Sequence, residues 1–343
     1  MAEAKRYRFL FIFFILAVSS IVFLSPFATD VRSTLFEQTP KSILSGIAGE
    51  DGPILAVKID DTTMAHPQVG LESADIIYIE QVEGGLTRLA AIYSSRIPPR
   101  IGPIRSARVS DLELLAQFGK VGFAYSGAQS KFRPEIEAAN LVDLGAQAKP
   151  PTIYTTDSTR IQPYAMILRA DLLMDLVKEK GITLATPKNP GWTFAQSTDQ
   201  GVAIDSAHIS WPASSYDVTW SQKDKNWKLS HNGKANLNEA GNVLTADTFV
   251  IQIVKISDSI YRDKVGGVTP LITSTGSGEG FILRDGRYIA ARWERPTAED
   301  GTRWTSQEGV EIPFKPGAIW IALTDKAPKF AVKIEDAPGS KSK

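Results

Sequence analysis

Apolar and polar positions follow two different periods along this chain, and their change divides it. Three runs, ILAVKID (54–60), ADIIYIEQV (74–82) and LTRLAAIYS (86–94), are apolar and rich in β-formers, and they predict strands. Glu83-Gly84-Gly85 between the last two predicts a tight hairpin. VGFAYSG (121–127) predicts another strand. Helical spacing alternates with these runs. Ser110-x-x-Glu113 is a capping-box pattern, Val109, Leu112, Leu115 and Phe118 recur at helical intervals, and Gly119 stands at the expected stop. Pro134 opens PEIEAANL as a first-turn proline, and Gly181 closes ADLLMDLVKEK (170–180).

After about residue 190 the period shortens to two. Pro190, Gly191 and Pro212 punctuate a polar stretch, and YDVTW (216–220) then alternates with NWKLSH (226–231) across a Lys-Asp-Lys turn. Asn232-Gly233 marks a further turn, and Asp285-Gly286 joins FILR to RYIAARW as a hairpin. TFVIQIVKI (248–256) reads as one buried strand, and IPFKPGAIWIAL (312–323) as two strands across Pro316-Gly317. Ser274 to Gly280 reads as a glycine-rich turn between strands, without the Lys-Ser/Thr of a phosphate loop. The seven tryptophans (192, 211, 220, 227, 293, 304, 320) read as core. The expected fold class is α+β: an N-terminal transmembrane helix, a mixed α/β domain over 50–195, a mostly β domain over 196–330, and a polar tail over 331–343.

Residues 9–27 contain no charge and follow Lys5, Arg6 and Arg8. As a helix they would cover about 29 Å, the thickness of a bilayer core. The basic flank places the N-terminus inside. The expected localisation is therefore the cytoplasmic membrane, single-pass, with the remainder extracytoplasmic. Residues 1–28 form the anchor, 29–49 a spacer, and the lipid bilayer is a partner through 9–27. A cleaved secretory signal or a buried core helix is the alternative; the long apolar run and the poor cleavage site at Pro26 and Ala28 favour the anchor.

Composition narrows the chemistry. A hydrophobic share of 43% and a charged share of 22% are those of a globular protein. Past residue 8 there are 35 basic and 37 acidic residues, a balance that excludes nucleic acid as the main partner. The absence of Cys excludes disulfides, Cys-ligated zinc and a thiol nucleophile. His66, His208 and His231 are far apart in sequence, so no metal and no cofactor is expected.

Arg105, Ser106 and Arg108 lie just ahead of the capped helix, whose start would offer free N–H groups. With Arg88 they predict a site for phosphate or carboxylate, which guanidinium grips bidentately. The plainer alternative pairs these arginines with Asp75, Glu80 or Glu83. Asp60 and Asp61 end the first strand and Glu80 and Glu83 the second, where carboxylates can share proton chemistry or remain solvated loop acids. Ser126-Gly127 follows a strand in a turn that offers backbone donors or a nucleophile, though not as G-x-S-x-G.

VKIDD (57–61), HPQVGL (66–71), ADIIY (74–78), VEGGLTRLAAIY (82–93), IGPIRSAR (101–108) and YSGA (125–128) resemble the N-terminal domain of the YerB-like family, DUF3048. YDVTW, TGSGEG, Asp285-Gly286, Trp293, Pro316-Gly317 and Trp320 are similar to its C-terminal domain. The resemblance implies an exported, membrane- or lipid-anchored bacterial protein of two domains, and it implies no reaction. Arg88, Arg105 and Arg108 recur in that pattern, and the segment from Tyr154 to Tyr164 keeps Asp157 and Arg160. Asp61 stands where Asn is usual, His66 where Arg is usual, and Ala165 where Asn is frequent. An apolar anchor replaces the lipidated Cys. The expected function is binding of an anionic envelope ligand through Arg88, Arg105, Ser106, Arg108 and Arg160, supported by Glu80, Ser126, Gly127 and Asp157. An envelope hydrolase or transferase using Asp60 and Glu83, or an adaptor for envelope proteins, are the alternatives.

Overall fold

The computed structural model describes residues 39–263 and 265–333; the apolar segment 9–27 and the tail from 334 lie outside the described residues. Among the described residues no helix is long and apolar enough to cross a membrane. The first half contributes β1 (Leu55–Asp60), β2 (Ile76–Gln81), β3 (Thr87–Tyr93), β4 (Arg100–Ile101), β5 (Gly122–Ala124), β6 (Val142–Asp143), β7 (Tyr154–Thr156) and β8 (Met166–Arg169). It also holds α1 (Ser110–Ala116), α2 (Arg133–Ala138) and α3 (Ala170–Glu179). The second half contributes β9 (Val202–Trp211), β10 (Ser214–Ser221), β11 (Asn226–His231), β12 (Lys234–Ala235), β13 (Thr245–Ala246), β14 (Thr248–Ile253) and β15 (Lys255–Arg262). It continues with β16 (Val268–Thr273), β17 (Gly276–Arg284), β18 (Arg287–Arg295), β19 (Arg303–Thr305), β20 (Ile319–Thr324) and β21 (Lys329–Val332). The described chain is thus mostly β with short helices, a correction to the more even α+β mixture expected.

One sheet runs β12-β11-β10-β9-β18-β17-β14-β20-β2-β3-β1-β5-β6. Its seam is β20, which pairs in parallel with β14 on one side and with β2 on the other. Every residue of β20 is buried. Ile319, Ile321 and Leu323 enter one core, and Trp320 and Ala322 enter the other. An apolar run without alternation is what a strand covered on both faces requires. A second junction lies at the β2–β3 turn. Gly85 adopts φ +73, and a Cβ there would come within 2.4 Å of the Pro212 ring. Ala213 N donates to Gly85 O at 2.9 Å.

The hairpins form as their turns predict: Asn232 and Gly233 have φ 48 and 74, and Asp285 and Gly286 have φ 52 and 72. Six tryptophans (192, 211, 227, 293, 304, 320) are buried, as expected of core. Other readings change. The stretch 248–256 divides at Val254 into β14 and β15, and 312–323 yields only β20. β9, which the polar spacing around Pro190 and Pro212 hid, is a ten-residue strand. The segment from Gly276 to Gly280 is strand rather than turn, because Gly278 and Gly280 leave room for the Trp293 and Trp304 rings.

The capping-box residues serve a distant segment. Ser110 Oγ accepts from Ile272 N at 2.9 Å. Glu113 Oε1 accepts from Ser274 N at 2.6 Å, Ser274 Oγ at 2.9 Å and Thr275 N at 3.0 Å. The peptide groups where β16 meets β17 need acceptors, and α1 provides them. Asp111 Oδ2 meanwhile accepts from Arg108 N at 2.6 Å. At the start of α1 itself, Asp111 N and Leu112 N donate to the carbonyls of Arg108 and Val109, at 3.0 and 3.3 Å.

Beneath this turn lies a buried ion group. Lys58 Nζ donates to Glu80 at 2.7 Å and to Asp111 at 2.6 Å, and none of the three side chains is more than 1% exposed. One ammonium cannot neutralise two buried carboxylates. Burial, outweighing the Lys58 charge and helped by the Asp111 charge, pushes the Glu80 carboxyl up to about 7.

Two outcomes follow from these contacts. The unfolded chain releases the Glu80 proton near 4.5 and the folded chain near 7, so this group makes stability fall as pH rises through that window. Glu80→Gln removes the fall, and urea unfolding should show the variant gaining on the parent by about 3 kcal/mol between pH 4.5 and pH 8. A difference that stays constant with pH would contradict this. Glu113→Ala leaves three donors of Ser274 and Thr275 without their acceptor and should cost about 2–3 kcal/mol in the same measurement.

Candidate functional site

Strand pleating places successive side chains on opposite faces. Asp60 and Asp61, adjacent at the end of β1, therefore face opposite sides of the sheet, and each anchors a separate polar cluster.

On one face, Asp60 lies opposite Arg88 on β3, and Arg88 lies opposite Glu80 on β2. The segment 105–108 crosses above them. Arg105 N donates to Lys58 O at 2.8 Å, and Ser126 N donates to Arg105 O at 3.0 Å. This backbone pairing directs Arg105 onto Asp60, with which it forms an ion pair. Its guanidinium also lies 5.7 Å from the centre of the Tyr164 ring. Arg108 grips Glu83 bidentately, through Nε at 2.6 Å and Nη2 at 2.8 Å. Arg88 Nη1 donates to Ser106 O at 2.9 Å.

Charge in this cluster is unevenly matched. Glu83 is pushed up by burial, but the Arg108 bond and charge and the Thr269 hydroxyl outweigh that and hold it below the usual carboxylate range. Arg88 is pulled down to about 9 by burial and then by Arg108 and Arg105. It remains charged at neutral pH. Three guanidiniums thus face two carboxylates, Asp60 and Glu83, with Arg105 the most open of the three.

The sequence-derived residues are distributed as follows. Arg88, Arg105 and Arg108 converge with Asp60 and Glu83. Ser106 supplies its carbonyl to Arg88, and its hydroxyl lies 3.4 Å from that of Ser126. Gly127 O accepts from Ala107 N at 3.0 Å, which holds the arginine segment in place. Arg160 joins a different loop: it pairs with Asp157 at 3.3 Å and donates to Ala65 O at 3.0 Å and to Pro67 O at 2.5 Å. Lys58 and Tyr164 stand in the family pattern, but the sequence assigns neither of them a role at the site. A lone lysine inside the apolar run ILAVKID is the signal that marks the first of them.

On the opposite face, Asp61 meets two histidines that sequence spacing kept apart. His66 Nε2 is 3.3 Å from Asp61 Oδ1, and His231 Nε2 is 3.8 Å from Oδ2. The two rings stack at 4.6 Å. Thr87 Oγ1 donates to Asp61 Oδ2 at 2.6 Å and Tyr216 OH to Oδ1 at 2.8 Å. Burial raises the Asp61 carboxyl, yet its histidine and Thr87 partners outweigh this and leave it low. Burial lowers both imidazoles; Asp61 overcomes it at His66, which ends raised, and not at His231, which ends lowered. No sequence signal joins these residues, because β20 and the Gly85–Pro212 contact bring them together. His208 lies elsewhere, paired with Asp217 at 2.7 Å.

Comparison with known proteins agrees with this architecture. Residues 44–183 match the family described as "Protein of unknown function (DUF3048) N-terminal domain", and residues 207–321 match its C-terminal domain. A curated relative from Bacillus subtilis (strain 168), YerB, whose name marks it as a candidate lipoprotein, is 26% identical over 276 residues, covering 78% of this chain and 80% of the relative. The crystal structure of YerB protein from Bacillus subtilis shares the fold at TM-score 0.72 and 21% identity, covering 85% of this chain and 99% of that one. Both halves match in order, and the chain belongs to the YerB-like family of DUF3048 proteins.

Proposed function

We propose that this chain is an envelope protein held at the outer face of the cytoplasmic membrane by residues 9–27, and that Arg88, Arg105 and Arg108 bind a phosphate- or carboxylate-bearing envelope ligand. The lipoprotein name of the YerB relative supports an extracytoplasmic setting. The observation that carries the binding reading is Arg88. It is 8% exposed, sits beside two other guanidiniums, and among the described residues donates only to the carbonyl of Ser106. An arginine has five N–H donors, so most of its capacity is unspent. Asp60 and Glu83 attract this guanidinium, but burial and the two neighbouring guanidiniums outweigh them, and an anion entering beside Arg105 would supply the direct counter-ion that Arg88 lacks among the described residues.

Catalysis by Asp60 and Glu83 is the second reading, favoured by their convergence with the arginines. Both carboxylates are held in ion pairs, and Glu83 lies below its ordinary value, which suits a positioned acceptor better than a proton donor. Binding is therefore the stronger reading. As for an adaptor role, the six buried tryptophans do not contribute to an exposed patch.

Calorimetry of the detergent-solubilised chain with inorganic phosphate and with glycerol phosphate tests the reading. Arg105→Ala and Arg108→Ala should each weaken binding at least about tenfold, the loss of one charge-assisted contact. Arg88→Met should abolish binding while leaving the unliganded protein folded, since the side-chain hydrogen bond it gives up goes to the single carbonyl of Ser106. Equal affinities across these proteins would rule the reading out.

A further inference from the structure

We propose that Asp61, His66 and His231 form a binding site for one divalent transition-metal ion, zinc being the best fit. This site lies across the sheet from the arginine cluster and does not depend on it. The three side chains offer one carboxylate oxygen and two imidazole nitrogens, all within 4.8 Å of one another. Tetrahedral zinc with bonds of about 2.0–2.1 Å spaces its donors about 3.3–3.4 Å apart. The His66–Asp61 separation of 3.3 Å meets that value, and the His231–Asp61 separation of 3.8 Å lies about half an ångström beyond it. Two nitrogens and one oxygen suit zinc or its first-row neighbours; calcium and magnesium take oxygen sets.

The surroundings orient these donors. His66 Nδ1 lies 3.1 Å from Asn236 Oδ1. An Nδ1–H donated there leaves the Nε2 lone pair facing Asp61, the outer contact by which metal-binding histidines are usually held. Thr87 and Tyr216 fix the Asp61 carboxylate from behind, at 2.6 and 2.8 Å. Arg160 holds the loop by donating to the carbonyls of Ala65 and Pro67, on either side of His66.

Gln68 provides an independent observation. Its side-chain nitrogen has three acceptors around it: His66 Nε2 at 3.1 Å, Asp61 Oδ1 at 3.2 Å and Asp60 O at 3.3 Å. Two hydrogens cannot satisfy three acceptors. Its own Oε1 is buried without a partner. Acceptors are in surplus at this point, and a cation is what such a surplus accommodates. The imidazoles lie parallel, at 10°, so their lone pairs run side by side and do not meet. Metal binding therefore turns one ring out of the stack. His66, 16% exposed against 4% for His231, has the room to turn and lines the way in from solvent.

The test uses the full chain without a polyhistidine tag, stripped with chelator and titrated with zinc chloride. Expected are one equivalent bound per chain at micromolar affinity or tighter, a raised melting temperature, and visible absorption of low-symmetry Co(II) when cobalt replaces zinc. His66→Ala and His231→Gln should each weaken zinc binding by about a hundredfold or more, whereas His208→Ala leaves it unchanged. His66 lies on a loop, so its variant is the one to judge should the His231 variant unfold. Wild-type protein that takes up no zinc at millimolar excess overturns the proposal, as does a folded His66→Ala variant that binds like the parent.

Discussion

A sheet covered on both faces leaves no water for the polar side chains of its central strands. Lys58, Asp60, Asp61, Glu80 and Arg88 all lie on β1 to β3 or at the end of β1, and all are buried. Each must find its partner within the protein, because an unpaired buried charge costs more than most single contacts return. That constraint gathers Asp111 against Lys58, Arg105 against Asp60, and Thr87 with Tyr216 against Asp61. Pleating then decides the rest. One step along β1 separates a guanidinium-rich environment from an imidazole-rich one, though the two aspartates are neighbours in the chain.

Local features of the fold were legible in the sequence. The apolar runs 54–60, 74–82 and 86–94 contain β1, β2 and β3, and Asp285-Gly286 forms the turn its composition demands, since both residues adopt positive φ. The helix closed by Gly181 is likewise found, with that glycine at φ +62. Such features depend on neighbours within a few residues, and periodicity records them. The arginine cluster was legible for the same reason in part: Arg105, Ser106 and Arg108 belong to one segment, and Arg88 follows the Gly84-Gly85 turn.

What escaped is what depends on partners far along the chain. Ser110 and Glu113 have the spacing of a cap, but the N–H groups they accept from belong to Ile272, Ser274 and Thr275, and spacing within α1 cannot report that. Gly278 and Gly280 look like turn residues until Trp293 and Trp304 are seen to occupy the space beside them. His66 and His231 are a hundred and more positions apart and still stack. β9 was obscured by the prolines on its flanks, and the polar half of its alternation faces away from the core.

The place of β20 in the sheet sets an order of assembly. β2 and β14 are each made long before the strand that lies between them, so both present open, apolar edges while the chain is still emerging. An edge of that kind readily pairs with whatever strand it meets first. Sequence-distant pairing of this sort also slows closure, because the intervening loop must be gathered before any contact repays it. Residues 319–324 thus act as the keystone, and until they arrive no strand bridges β2 to β14.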